Sequence, residues 1–132
     1  MPVLMELSRL IVSEVNDQQA MYLREVGGTR VFPILIGPFE AQAINRQLLE
    51  EPPYRPLTHQ LLKNVVTVLG GVFEEVLISE MREHTYFAIL KIRVGDILHD
   101  IDCRPSDAIA VAVHHSPVLP IYVAEKILDE VG

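Results

Sequence analysis

The 132 residues are 49% apolar and 22% charged, a balance that supports a folded domain with a real core and excludes a disordered chain. With 18 acidic side chains against 11 basic ones the formal charge is -7, so no broad basic surface exists to bind nucleic acid by charge alone. The longest apolar runs, such as Val31–Ile36 and Ala108–Val113, fall well short of the roughly 20 residues of a spanning helix, and no membrane segment is expected.

Residues 3–15 are β-branched and apolar, with Met5 and Leu7 alternating against Glu6 and Ser8 until the pattern slips near Arg9. That predicts a long strand with a bulge. Asn16-Asp17 predicts a turn, 20–26 a second strand, and Gly27-Gly28 a tight hairpin. Val31–Ile36 reads as a third strand buried on both faces, although Pro33 lacks a ladder donor and points to an edge or a bulge. Gly37-Pro38 opens a helix with Ala41, Ile44 and Leu48 on one face, ending before Pro52-Pro53. A second helix is marked by Thr58 as N-cap, a staple of Leu57 with Leu62, the apolar stripe Leu61, Val65, Leu69, and Gly70 past its end.

The second half repeats the plan. A strand over 72–81 and a turn near Glu83-His84 lead to a strand with Tyr86, Ala88, Leu90, Ile92 and Val94 on one face and Lys91 and Arg93 on the other. Gly95-Asp96 turns into Ile97–Asp102, Arg104-Pro105 opens a helix to about His114, and Ser116-Pro117 breaks it before a strand at 119–123 and a helix at 124–131. The class is α+β, with mainly antiparallel sheets and helices in a single domain, 1–132. The pattern Pro-x-acid-Ala-x-Ala-aliphatic occurs at Pro38–Ile44 and again at Pro105–Val111, offset by about half the chain. A duplicated hairpin-strand-helix unit, with pseudo-repeats about 1–69 and 70–132, would imply two sheets related by a pseudo-twofold axis.

The mean hydropathy of +0.26 is high for a small domain, so part of its apolar surface is expected to be covered in a homo-oligomer, a dimer or a multiple of dimers. The amino terminus has no basic region preceding an apolar core, which predicts a cytoplasmic protein with no secretory signal. Cys103 is alone, so a disulfide within the chain and any two-thiolate zinc site are excluded. Walker, dinucleotide and Gly-x-Ser-x-Gly motifs are absent, and four Tyr, four Phe and no Trp make a thin stacking platform.

Proline at the first helical position places Glu40 and Asp107 at the third, where a carboxylate can accept from the free amides of its own helix. Alternatively the two carboxylates, with Asp102, converge on a divalent cation, Mg²⁺ or Mn²⁺, that activates water against a phosphodiester. In Ile101–Asp107, Arg104 is a planar donor for phosphate or carboxylate beside Ser106 at a helix start, or else an internal partner of Asp102 or Asp107. Arg55-Pro56-Leu57-Thr58-His59 echoes this entry, with Arg55 and Thr58 as further substrate ligands and His59 as base or ligand, or simply as a surface residue. His84, His99 and His114-His115 lack the spacing of a metal pair.

The stretch Ile101–Ala112 resembles the Asp-Ala-Arg-Pro-Ser-Asp-Ala-Ile-Ala-Leu-Ala signature of the bifunctional nuclease domain family. Phe32–Gly37 with Glu40-Ala41 and Ala43-Ile44, and Arg55-Pro56 with Thr58-His59 and Leu61-Leu62, are similar to its two other blocks, so the resemblance covers nearly the whole chain. It implies a nuclease acting on DNA and RNA, of the size of the small bacterial members, which are thought to oligomerise. Cys103 stands where alanine is usual, and Gln60 where aspartate often follows the histidine, which removes a metal-binding or capping acid from that helix start. The expected function is metal-assisted phosphodiester hydrolysis by Asp107, Glu40 and His59, with weak, salt-sensitive binding of nucleic acid. The alternative is a noncatalytic oligomeric binding or regulatory module that holds a small anion at Arg-Pro-Ser-Asp.

Overall fold

Period-two burial along the strands builds one sheet, and helices cover the face that this alternation makes apolar. In the computed structural model, which describes residues 2–12, 19–48, 58–83 and 85–131, the elements are β1 (Val3–Val12), β2 (Gln19–Glu25), β3 (Val31–Ile36), α1 (Pro38–Leu48), α2 (Thr58–Val68), β4 (Gly71–Arg82), β5 (Thr85–Val94), β6 (Ile97–Cys103), α3 (Pro105–Val113), β7 (Ile121–Val123) and α4 (Glu125–Val131). The predicted turn at Asn16-Asp17, the stop at Pro52-Pro53, Arg55, Leu57 and His84 lie outside the described residues.

The fold is α+β, with strand order β3-β2-β1-β7-β4-β5-β6. An antiparallel meander thus lies on either side of β7, which runs antiparallel to β1 and parallel to β4. The expected pair of sheets is therefore one sheet. Its physical cause is β7: Ile121 pairs with Met5 on one side and with Val76 on the other, so a strand of 3 residues fuses the two halves. The register of β1 against β2 shifts between Leu7 and Arg9, which is the bulge expected there.

β3 is not buried on both faces. It is an edge strand with Phe32, Ile34 and Ile36 inward and Leu35 69% exposed, and the missing donor of Pro33 is tolerated at an edge. On the face away from the core, Glu6 pairs with Arg24, Glu74 with Arg93 and Lys91 with Asp100 across neighbouring strands. These exposed pairs contribute little stability, about 0 to 1 kcal/mol each, and serve mainly to make that face wettable.

One continuous core joins the strands to α1, α3 and α4. At its centre is α3, of whose 9 residues every one except Asp107 is buried. Alanines make this fit: Ala41 on α1 and Ala108 and Ala112 on α3 are at most 1% exposed, and the two helices pack together. The carboxyl end of α3 is covered by Lys63 of α2, whose ammonium donates to the His114 carbonyl at 2.9 Å. His114 and His115 return their Nδ1 atoms to the Ala110 and Val111 carbonyls, and burial lowers the pKa of His115.

α2 carries no buried residue. His59, Lys63 and Val66 turn toward α3 and β4, through bonds to Asp107 and the His114 carbonyl and a close approach to Gly71. The stripe Leu61, Val65, Leu69, which an amphipathic surface helix would bury, is 57%, 45% and 75% exposed. Polar anchors on its other side decide this orientation.

Because Ile109 is fully buried in α3, truncating it leaves a cavity that the surrounding strands cannot collapse. Ile109→Ala is expected to cost roughly 2 to 5 kcal/mol of unfolding free energy, read from urea titration. A cost below about 1 kcal/mol would contradict the central place of α3.

Candidate functional site

β6 ends at Cys103 and α3 begins at Pro105, so Arg104 is the whole connection. Its extended backbone (φ -75, ψ 146) is what a residue before proline adopts. The guanidinium then folds over the first turn: Nε donates to Asp107 Oδ2 at 2.8 Å and Nη2 to Asp107 Oδ1 at 3.2 Å. Nη2 also donates to Glu40 Oε1 at 2.6 Å. On the other side of Asp107, His59 Nε2 lies 3.1 Å from Oδ1.

A chain Glu40–Arg104–Asp107–His59 therefore links α1, the turn before α3, α3 itself and α2. The alternative in which Asp107 caps its own helix is not realised, for α3 has no side-chain cap and both Asp107 oxygens are used by Arg104 and His59. Glu40 folds back over the start of α1, where a Cβ on Gly37 would collide with its carboxylate.

Charge follows geometry. Burial pushes the Asp107 carboxyl upward, but hydrogen bonds from Arg104 and His59, with the charge of Arg104, outweigh it and hold the group below its ordinary value of 3.8. Arg104 is driven the other way by its bonds to Asp107 and Glu40. An ionised carboxylate can only accept, so His59 Nε2 carries the hydrogen of this contact.

The remaining predicted residues divide. Thr58 is the first helical residue of α2, beside His59. Ser106 is 5% exposed and lines a different cleft, with Pro33 and Glu130. Asp102 sits opposite Ile89 on β6, outside the bonded chain. His99, on β6, is exposed. Burial, reinforced by the charges of Asp102 and Asp107, pushes the Cys103 thiol up to about 11, so it is not a poised nucleophile. Among the described residues no three His, Cys, Asp or Glu side chains gather as a metal site. Glu40 and Asp107 do not fit a resident cation as arranged, because a guanidinium already fills the gap between them.

Three clefts meet at Arg104. One of about 710 Å³ lies between α2, β5, β6 and α3, and includes His59, Asp107, Leu62 and Tyr86. A second of about 400 Å³ runs along α1 past Phe39 and Arg46 and shares Thr58, His59 and Asp107 with the first. The third, of about 830 Å³, opens toward β3 and α4. Three walls of the first cleft are consecutive, from β5 through β6 to α3, and α2 closes it from about thirty residues earlier, so the sequence marks many of its residues but not that they share one cleft.

Residues 21–132 match the bifunctional nuclease domain, a span that holds all four members of the chain. The protein belongs to the bifunctional nuclease domain family. Two Mycobacterium tuberculosis relatives, the uncharacterized proteins Rv1829 and MT1877, are each 37% identical over 121 residues, covering 92% of this chain and 71% of theirs. The family's description suggests a nuclease-related function. No helix among the described residues is long and apolar enough to cross a membrane.

The lowered pKa of Asp107 has a consequence for acid stability. Its contacts contribute in full above the ordinary carboxylate value of 3.8 and are lost as pH falls from there through the lower folded value. Asp107→Asn should therefore flatten the acid limb of stability against pH, measured by urea unfolding followed by circular dichroism. Parallel limbs for the two proteins would remove the ion pair from the account.

Proposed function

We propose that the protein hydrolyses phosphodiester bonds of DNA and RNA at the Glu40–Arg104–Asp107–His59 chain. The observation that carries this reading is the guanidinium, fixed by Nε and Nη2 to Asp107 and Glu40 while its side chain stays 66% exposed. Nη1 has no partner among the described residues and is available to a phosphate oxygen beside the amino end of α3. His59 lines two of the clefts that meet there. Oriented by Asp107, its Nδ1 takes the proton of a water whose oxygen attacks phosphorus, and returns it to the departing oxygen as the P–O bond breaks. A base that activates water needs no 2′-hydroxyl, which suits action on both nucleic acids. Arg104 supplies the positive charge, and no step passes through Mg²⁺ or Mn²⁺.

Under this reading His59→Gln lowers kcat roughly 10²- to 10⁴-fold, while Arg104→Lys folds normally and loses about 1 to 3 kcal/mol of phosphate binding, because lysine cannot span Glu40 and Asp107 while presenting a third nitrogen. Cleavage of nucleic acid by nuclease-free protein should survive chelation of divalent ions and fall as salt rises. Cutting abolished by chelation and unaffected by His59→Gln would overturn the assignment. Phosphate binding without cutting would favour the noncatalytic anion-binding module instead.

We infer further that the protein self-associates through α2, on the strength of its outward stripe, in a dimer or a multiple of dimers. Light scattering should show an oligomer at micromolar concentration, and Leu61→Lys with Leu69→Lys should shift it to monomer without lowering the melting temperature of the core. A monomer in the unsubstituted protein would sink the idea.

A further inference from the structure

The phosphate chemistry uses only the His59–Asp107–Arg104 end of the cleft between α2, β5, β6 and α3 and leaves its apolar part unused. Its floor is the buried trio Leu90, Ala108 and Val111, and its walls include Leu62 and Ile101, 43% and 45% exposed. One of the molecule's few aromatic side chains, Tyr86, completes it from the same face of β5 as Leu90, while the Phe87 ring turns to the other face of the sheet beneath Arg82. The Tyr86 ring is steadied by Phe32, at 5.7 Å between centroids. Polar groups stand at the rim: Thr58, Thr85 and the Arg104–Asp107–His59 end.

We propose that this cleft receives one unpaired nucleobase whose own phosphate lies at Arg104, so that the protein acts on single strands. The proposal rests on the reading of Arg104 as the phosphate ligand. A phosphate alone would leave the apolar floor wet, and an apolar ligand alone would leave Arg104 unused. A nucleotide has a flat apolar body one sugar away from an anion, which matches the order of surfaces here. At about 710 Å³ the cleft falls within the range of small-ligand pockets, about 300 to 1,000 Å³. A single aromatic ring, that of Tyr86, over an apolar floor suits one base and not a stacked run. A base inside a duplex cannot enter without leaving its stack, so pairing itself is the discriminating feature.

The test compares adenosine 5′-monophosphate, ribose 5-phosphate and adenosine by calorimetric titration of the full chain. The monophosphate should bind about tenfold more tightly than ribose 5-phosphate, the gain expected of one stacked and buried base. Leu62→Gln and Ile101→Gln, at part-exposed positions that the core does not need, should erase that gain while leaving ribose 5-phosphate binding unchanged. A single-stranded oligonucleotide should be cut about tenfold faster than the same strand in a duplex. Equal affinity for the monophosphate and ribose 5-phosphate would overturn the base cleft and leave the phosphate site standing. Adenosine binding with no gain from the phosphate would support the cleft and overturn the Arg104 reading. Binding of none of the three, with Leu62→Gln releasing monomers, would assign the cleft to a second copy of the chain and overturn the proposal.

Discussion

Burial of α3 leaves almost no freedom in where its single polar surface points. Ile109, Val111 and the three alanines at 108, 110 and 112 are sealed against strands and against α1, and a helix held on that many sides cannot rotate without exposing apolar surface. Asp107 is the residue of α3 that escapes burial, so the packing aims one carboxylate out of the core. The one-residue connection from β6 then brings Arg104 onto that carboxylate, and the contact between α1 and α3 brings Glu40 onto Arg104. The geometry of the site thus follows from apolar packing beneath it.

Electrostatics at this site act locally. Two carboxylates share one guanidinium in a chain whose formal charge is -7, so the molecule offers no broad field to draw in a polyanion. What it offers is a planar donor whose orientation is already set, reducing the ordering cost of binding. Such a site gains affinity by fit to the group beside the phosphate more than by charge. This gives the apolar cleft next to Arg104 its importance in the proposed reading.

α2 joins the site to the outer surface. Its inward side supplies His59 and Lys63, which hold the two ends of α3. Its outward side carries Leu61, Val65, Val68 and Leu69, all strongly exposed. A helix so placed is held to its own fold mainly by polar contacts, and a surface that covers the stripe also steadies the helix that bears His59.

Local signals made much of this protein legible. The slip near Arg9, the hairpin glycines, the proline-started helices and the alternation in β5 each state a local preference that tertiary packing did not override. Arg104, Asp107, Glu40 and His59 stood out because charged groups beside apolar runs at helix starts are costly unless used. Tertiary structure alone decided the rest. The sequence places a short strand at 119–123, but nothing local says that it lies between the two meanders and fuses them into one sheet. Pro33 already pointed Val31–Ile36 to an edge or a bulge, but the apolar run suggested burial on both faces, and only the sheet order leaves its outer face uncovered. The stripe on α2 was visible, but its direction depended on Asp107 and the end of α3, partners about fifty residues away in sequence. Periodicity is a property of one segment, whereas which face turns inward is settled by where distant donors and acceptors find one another.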